Sequence, residues 1–142
     1  MIKIEKFRGK YYFLSNFSRI PVSLENITYP TSEHAYQAYK TKNLGEREKI
    51  AKLDTPAKAK KYGNKLILRE NWDSIKLEIM ENIIRQKFLQ NPIYLKKLLE
   101  TGDAELIEGN TWKDTYWGVY KGKGQNNLGK ILMKIRQEFK KN

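Results

Sequence analysis

One long apolar periodicity limits what this chain can fold into more than any other feature. Between positions 71 and 90, apolar side chains recur at approximately helical spacing, at Trp72, Ile75, Ile79, Ile83 and Phe88. The pair Asn91-Pro92 ends the pattern, because the residue before a proline disfavours the helical region and proline itself suits the first turn of a new helix. The sequence therefore predicts a helix from about Asn71 to Gln90 and a mainly helical protein around it.

Start and stop signals predict further helices. Ser, Thr, Asp and Asn side chains cap helix N-termini, proline is favoured at the first helical position, and glycine often follows the last. By these signals we expect helices at Glu33 to Lys42 after Thr31, at Thr55-Pro56 to Gly63, at Pro92 to Leu99 before Thr101-Gly102-Asp103, and from about Leu128 onward. The last of these helices carries its apolar residues on one stripe, at Ile131, Leu132, Ile135 and Phe139.

The first thirty residues predict short strands and turns instead of helices, because weak alternation is interrupted there by turn residues. The segments concerned are an aromatic run at 11–14, a turn at 15–18 and an extended stretch at 22–29, with a further short strand at 106–108 and a loop at 112–127. The expected fold is mainly α: a single multihelical domain over residues 1–142, with a minor β part near the N-terminus.

Composition narrows the classes of function. Lys and Arg number 28 against 16 Asp and Glu, and the resulting net charge of +12 attracts phosphates. Many lysines stand beside glutamates on predicted helix faces, so charge alone does not establish nucleic-acid binding. The absence of cysteine excludes disulfides and thiolate metal sites. No apolar run reaches the roughly eighteen residues of a membrane span, and the N-terminus lacks the apolar region of a signal peptide. We therefore expect a cytoplasmic protein.

One predicted helix carries three polar groups at helical spacing. Glu33, Gln37 and Lys40 stand at i, i+4 and i+7, which places them on one helix face. A carboxylate, an amide and an amine in a row suit the handling of a sugar and its leaving group; the alternative is an ordinary solvated face. His34 is the only histidine, so a histidine-rich metal site is excluded and a structural or surface role is expected.

Aromatic residues mark two further candidates. Trp72 opens the long helix and is either a core residue or a stacking platform for a flat heterocycle. The stretch 108–118 combines two tryptophans, a tyrosine and acids in a predicted loop. A carboxylate bordered by aromatic rings can lie in a partly dry pocket, where its proton affinity changes and general acid work becomes possible. The alternative is a structural loop anchored by its tryptophans.

A fourth candidate is the glycine-rich and amide-rich segment 121–129, which precedes the last helix. Backbone N–H groups at a helix N-terminus can hold a phosphate, and lysines here add charge. The segment has no Walker A pattern, so a flexible loop is the competing interpretation.

Taken in order, these pieces resemble the YbiA-like (NADAR) family of N-glycosidases over nearly the whole chain. The matching residues are Leu14 to Phe17, Tyr29 to His34 with Gln37 and Lys40, Asn71-Trp72 with Lys76 and Met80, Lys87-Phe88, Thr101-Gly102, Leu106 to Glu108, Asp114, Trp117-Gly118, Gly122 to Gly124, Asn126 to Gly129, Leu132-Met133 and Arg136. One departure is Asn64, where relatives often have an arginine, and it puts the identity of the substrate in doubt more than the type of reaction.

The resemblance implies a mainly helical domain that cleaves N-glycosidic bonds. Some members of the family act on the ribosylamino-pyrimidine phosphates of riboflavin synthesis, and others remove ADP-ribose from guanine. The functional positions carried over are Glu33, Trp72, Asp114 and Trp117, with Lys40 in the same pocket. We expect further substrate-binding residues at Asn16, Phe17, Gln37, Arg69, Gly118 and Asn126.

In this scheme Glu33 and Asp114 divide two roles between them, stabilising positive charge on the sugar and donating a proton to the leaving nitrogen. Lys40 either attacks the anomeric carbon to form an imine or pairs with Glu33. We expect no metal and no cofactor. The expected partner is a phosphorylated ribosyl or ADP-ribosyl substrate, which includes ADP-ribosylated nucleic acid. The alternatives are a non-catalytic binder of ADP-ribose or a related nucleotide, and a basic nucleic-acid-binding domain.

Overall fold

The computed structural model describes residues 2–140, so Met1 and residues 141–142 of the predicted domain lie outside the described part. Helices dominate that part. The α-helices are α1 Ser32–Ala38, α2 Leu44–Ala51, α3 Pro56–Gly63, α4 Trp72–Gln90, α5 Pro92–Glu100 and α6 Asn127–Lys140, preceded by a 3₁₀ helix at Gly9–Leu14. The strands are β1 Lys3–Ile4, β2 Val22–Leu24, β3 Ile27–Tyr29 and β4 Glu105–Leu106. The predicted mainly α class is confirmed.

The chain forms two compact units, one of residues Asn16–Gln90 and the other of the described residues up to Ser15 and from Asn91 onward. The prediction of a single domain over 1–142 stays a prediction. Within residues 2–140, no helix has the length and apolar character that crossing a membrane requires.

The Asn16–Gln90 unit begins with a β-hairpin. Strands β2 and β3 pair antiparallel, with Leu24 opposite Ile27. Glu25 and Asn26 form the two-residue turn, and both have positive φ angles, 49° and 69°. Two left-handed residues in succession match the twist of the flanking strands, which is the reason such turns connect hairpins.

Helix α1 is the centre of this unit, since all seven of its residues are buried. It packs against α2, α3 and α4. Thr31 caps it as predicted, accepting a hydrogen bond from the His34 N–H at 3.1 Å. The predicted extension to Lys42 is wrong, because the helix ends at Ala38. The amides of Lys40 and Thr41 bond three residues back, and the Lys40 carbonyl accepts from the Arg69 N–H at 2.8 Å instead of from a further helical turn.

Helix α2 is absent from the sequence prediction. Its residues are mostly polar, with only Arg47 and Ile50 buried, so apolar periodicity gives almost no signal. The available signal was the cap, since the Asn43 side chain accepts from the Glu46 N–H at 2.9 Å. An Asn followed three residues later by Glu is a helix-start signature.

The remaining helices of this unit follow their predicted boundaries. Thr55 caps α3, Pro56 is its first residue and Gly63 its last. Helix α4 covers Trp72–Gln90, in agreement with the predicted helix from about Asn71.

In the other unit, β1 and β4 pair in parallel, with Ile4 opposite Leu106. The strand predicted at 106–108 is shifted to Glu105–Leu106, and the strands and turns expected at 11–14 are a 3₁₀ helix instead. The apolar stripe of α6 is buried as expected at Ile131, Leu132 and Ile135, whereas Phe139 is only half-buried.

Candidate functional site

A buried carboxylate and amide form the centre of the candidate site. Glu33 and Gln37 lie one turn apart on α1 and are 9% and 3% exposed. The Gln37 Nε2 group donates to Glu33 Oε2 at 2.6 Å. An amide beside a carboxylate must present its N–H₂ side, because the reverse orientation would oppose two oxygens. Gln37 Oε1 therefore faces away from Glu33, and it is buried without a hydrogen-bond partner among the described residues.

Gly63 at the end of α3 makes room for this pair. A Cβ added there would overlap Gln37 Oε1 and lie 2.8 Å from Gln37 Cδ. The position tolerates no side chain without moving the amide, so the glycine is required by close approach of α3 to α1.

The N-terminus of α1 is fixed by Asn16. The Asn16 carbonyl accepts from the Glu33 N–H at 3.0 Å. Its side-chain Oδ1 accepts from Ser32 Oγ at 2.8 Å, and its Nδ2 donates to the Met80 sulfur at 3.6 Å. Asn16 thus positions Glu33 through the backbone. The predicted substrate contacts of Asn16 and of the half-buried Phe17 stay predictions.

Lys40 lies beyond the end of α1, so the helical i, i+7 argument that placed it beside Glu33 is wrong. The turn nevertheless brings its amine close enough to Glu33 for that carboxylate to act on its pKa. Burial lowers the pKa of Lys40, Glu33 raises it, and the nearby Lys60 and Lys76 lower it further. The net result is a lowered pKa, which increases the fraction of neutral, nucleophilic amine.

Tyr36 links Lys40 to Trp72. The Lys40 Nζ lies 5.8 Å from the centroid of the Tyr36 ring, and the Trp72 ring packs on Tyr36 at 5.3 Å with a 49° tilt. Trp72 is only 5% exposed, which leaves little of its face for a ligand. The stacking role of Trp72 stays a prediction, and Tyr36 is a neighbour of the site that the sequence analysis did not single out.

His34 has a structural role, as expected. It is fully buried, with Nε2 3.0 Å from the Leu53 carbonyl and Nδ1 2.7 Å from Thr31 Oγ1. A carbonyl only accepts, so Nε2 carries the proton and Nδ1 accepts from the Thr31 hydroxyl. Burial lowers the pKa of His34, which keeps the ring neutral.

The second predicted carboxylate, Asp114, belongs to the other unit and is held in its loop by hydrogen bonds. Its Oδ1 accepts from the N–H groups of Tyr116 at 3.0 Å and Trp117 at 2.9 Å. Asn110 holds the Asp114 backbone from both sides, accepting from its N–H at 3.0 Å and donating to its carbonyl at 2.9 Å. Asp114 Oδ2 accepts no hydrogen bond within residues 2–140, so one oxygen remains available for a ligand.

Three more predicted residues lie in this loop region. Trp117 is half-buried and meets the Tyr116 ring edge-on at 4.8 Å. Gly118 is buried where a Cβ would overlap the Glu108 carbonyl. Asn126 uses both ends of its amide within the chain, accepting from the Glu108 N–H at 3.0 Å and donating to the Leu106 carbonyl at 2.9 Å. Its side chain therefore braces the loop, and its substrate-binding role stays a prediction.

Arg69 holds the turn that carries Lys40. Besides the bond from its N–H to the Lys40 carbonyl, its Nη1 donates to the Tyr39 carbonyl at 3.4 Å. Its Nε is buried and has no hydrogen-bond partner among the described residues. The substrate-binding role expected of Arg69 stays a prediction.

The structure thus gathers part of the predicted site in each unit. Glu33, Gln37, Lys40 and Trp72 belong to the Asn16–Gln90 unit, where Lys40 and Trp72 both contact Tyr36. The four loop residues Asp114, Trp117, Gly118 and Asn126 belong to the other unit. The predicted partnership of Glu33 with Asp114 joins the two units and stays a prediction. Within residues 2–140, no cluster of three or more His, Cys, Asp or Glu side chains is arranged to hold a metal ion.

Several known proteins are similar to this chain over most of its length. Residues 5–140 match the NADAR domain. The chain is 39% identical over 132 residues to N-glycosidase YbiA of Escherichia coli (strain K12), covering 91% of this chain and 82% of that protein. It is 36% identical over 136 residues to an N-glycosidase of Nostoc punctiforme, covering 92% and 86%. A riboflavin biosynthesis protein of Vibrio vulnificus is 38% identical over 130 residues, which cover 89% of this chain and 35% of that protein.

The fold is shared as well. The NMR structure of E. coli YbiA matches with a TM-score of 0.85 and 37% sequence identity, over 98% of this chain and 84% of that chain. The resemblance found in the sequence motifs is confirmed by the domain match, by the identities and by the common fold. On these grounds the chain belongs to the NADAR family.

Proposed function

We propose that this protein hydrolyses the N-glycosidic bond of a ribosylated, phosphorylated nucleotide-type substrate. The observation that carries the proposal is the Glu33 carboxylate, held by Gln37 at 2.6 Å beside an amine of lowered pKa. The names of the relatives support it, since two of them that match over more than four-fifths of their length are N-glycosidases.

Charge development during the reaction explains the need for a fixed carboxylate. As the N-glycosidic bond breaks, positive charge grows at the anomeric carbon and the departing nitrogen takes a proton. Glu33 meets this positive charge without reorientation, because Gln37 and the backbone bond to Asn16 already fix it. Asp114 is the proposed partner, with Oδ1 held by its loop and Oδ2 left for the substrate or for the attacking water.

Lys40 supplies a second route. In its neutral form the amine attacks the anomeric carbon, the C–N bond to the base breaks, and the base leaves with a proton. The opened sugar is then held as an imine, and water releases it and regenerates the amine. Borohydride added during turnover would reduce this imine to a stable amine, seen by mass spectrometry as a sugar adduct on Lys40. If turnover leaves no adduct, Lys40 acts through its charge, as the ion-pair partner of Glu33.

Two substrates fit this chemistry. A ribosylamino-pyrimidine phosphate is favoured by the relative from V. vulnificus, which is a riboflavin biosynthesis protein, and by a second such protein in Zea mays that is 32% identical. Lys60 and Lys76 near Lys40 are suited to its phosphate. The net charge of +12 favours the other candidate, ADP-ribose on a guanine of nucleic acid.

The test is product release by liquid chromatography and mass spectrometry, with both substrates side by side. Release of ribose 5-phosphate from the first, or of ADP-ribose from the second, chooses the branch. Tight binding of ADP-ribose with no product over hours would replace the hydrolase with a non-catalytic binder. Affinity for unmodified DNA that falls steeply with salt, without release, would instead indicate a nucleic-acid-binding domain.

A further inference from the structure

The Asn16–Gln90 unit has an open cleft beside the candidate site, and of the predicted site residues only Arg69 lines it. The cleft encloses about 690 Å³, within the range of small-molecule sites. Its lining residues are Glu25, Tyr39, Lys42, Leu44, Arg47, Arg69, Ile75, Glu78 and Ile79. None of the four site residues Glu33, Gln37, Lys40 and Trp72 is among them.

The cleft and the candidate site use neighbouring faces of the same elements. Successive residues of a helix are rotated by about 100°, so on α4 Ile75 and Ile79 face the cleft while Trp72 packs on Tyr36. The turn after α1 divides in the same way, with Tyr39 in the cleft and Lys40 beside Tyr36. A ligand in the cleft would therefore lie next to the reacting groups without touching them.

The two arginines of the cleft differ in how many of their hydrogen-bond donors have partners. Arg47 has an ion pair with Glu25 at 3.3 Å, a hydrogen bond to the Thr41 carbonyl at 2.9 Å, and the Tyr39 ring 4.0 Å from its guanidinium carbon. Arg69 has the single long bond from Nη1 to the Tyr39 carbonyl, at 3.4 Å. No carboxylate of residues 2–140 lies within ion-pair distance of it.

The unsatisfied part of Arg69 is the edge formed by Nε and Nη2. Its Nε is buried without a partner, and a buried donor left unpaired calls for an explanation. That edge is the one with which a guanidinium grips a carboxylate or phosphate through two parallel hydrogen bonds. Of the other charged groups lining the cleft, Glu25 is already neutralised by Arg47, and Lys42 and Glu78 are both exposed at the rim.

We propose that this cleft is a second ligand site, for a small molecule with a phosphate or carboxylate group on an aromatic or aliphatic body. The anion bridges the Nε and Nη2 edge of Arg69, with Lys42 at the rim. The body lies against the Tyr39 ring and the side chains of Ile75 and Ile79. The site does not depend on the proposed glycosidase reaction, because binding is measured without turnover.

Phenyl phosphate is a suitable probe, since it joins a phosphate group to an aromatic ring. Inorganic phosphate tests the anionic group alone, and phenol tests the ring alone. Each probe is titrated into ¹⁵N-labelled protein, and binding is monitored by NMR from the backbone amide signals of the cleft residues and from the Arg69 Nε–H signal. The expected result is perturbation of the cleft signals, with a dissociation constant at least about tenfold lower than that of either part. Ile79→Trp fills the cleft and should abolish the binding. Leu77→Trp, on the exposed side of the same helix, is the matched control and should keep it. Arg69→Gln should lower the affinity for phenyl phosphate to that for phenol.

The source of the anion is decided by competition. If the cleft holds a distant phosphate of the enzyme's own substrate, a substrate shown to bind the protein displaces phenyl phosphate; if it holds a separate molecule, both bind together. Either result supports the site. Three results would overturn the proposed site. They are signal changes confined to Gln37, Lys40 and Trp72, an unchanged affinity for phenyl phosphate in Ile79→Trp, and no signal change at millimolar phenyl phosphate.

Discussion

Gly63→Ala is expected to damage the candidate site from outside it. Gly63 is in the last turn of α3 with ordinary helical φ, so alanine itself fits the backbone. The added methyl group, however, would overlap Gln37 Oε1 and lie 3.0 Å from Gln37 Cβ. The amide cannot swing away freely, because its Nε2 is bonded to Glu33 and its surroundings are buried.

The change in the free energy of unfolding is the sum of opposing effects. Alanine in place of a helical glycine stabilises by about 0.5–1 kcal/mol. Overpacking costs about 1–3 kcal/mol, and loss of a hydrogen bond to a charged group costs about 1.5–3 kcal/mol. Relaxation relieves one of the two costs at the expense of the other, so one cost of about 1–3 kcal/mol stands against the gain. We therefore expect a net loss of up to about 2.5 kcal/mol. Displacing Glu33 by a fraction of an ångström should lower kcat by roughly ten- to a hundredfold.

Urea unfolding and steady-state kinetics of four variants test this reasoning. Gly45→Ala, within α2, is the matched control, because its Cβ meets only the Asn43 side chain at 3.2 Å. It should be neutral or stabilising by up to about 1 kcal/mol. In the Gln37→Ala background the methyl group finds space, so Gly63→Ala should become neutral or stabilising. Equal effects of Gly63→Ala in both backgrounds would refute the steric explanation.

Three other outcomes test separate parts of the structure. Lys87 is fully buried, and this burial lowers its pKa from 10.5 to about 7. The unfolded state therefore binds one more proton between those values, and stability should rise with pH there, by about 1.4 kcal/mol per unit at most. Lys87→Met should flatten this rise in urea unfolding at pH 7 and 9, and an unchanged slope would contradict it. If neutral Lys40 is the nucleophile, kcat should rise with pH through a midpoint below 10.5, and a Lys40→Arg enzyme with wild-type kcat would rule that role out. Asn110→Ala removes both bonds to the Asp114 backbone and should speed proteolysis within 112–125; an unaltered cleavage rate would show that Asn110 does not hold the loop.

Local signals predicted the helices well. Pro56 and Gly63 mark the ends of α3, and the apolar periodicity after Asn71 marks α4, because caps, proline and glycine act within a few residues. Helix α2 was not predicted, because its mostly polar residues show no apolar periodicity and its main local signal is the cap at Asn43.

Pairing between distant segments could not be predicted in this way. Strand β1 pairs with β4 about a hundred positions later, and two-residue strands have no pattern to read. The length of α1 depended on the Arg69 N–H taking the Lys40 carbonyl, a contact between residues 29 positions apart.

For the candidate site too, local spacing was predictable and tertiary contacts were not. The Glu33–Gln37 pair follows from i, i+4 spacing, and the hydrogen bond between them confirms their common face. Lys40 reaches the same neighbourhood by a turn that spacing does not describe. The contribution of Tyr36, the orphan Nε of Arg69 and the steric role of Gly63 depend on tertiary contacts and became visible only in the structure.

Glu33 is proposed to act directly in N-glycosidic bond cleavage. The most direct measurement is kcat of Glu33→Gln, with far-ultraviolet circular dichroism to verify folding, on whichever ribosylated substrate the wild type cleaves. Glu48→Gln, an exposed neighbour on α2, is the control and should keep wild-type kcat. We expect Glu33→Gln to fold normally and to lose roughly 10²–10⁴-fold in kcat. A folded Glu33→Gln enzyme that releases product at the wild-type rate would contradict it.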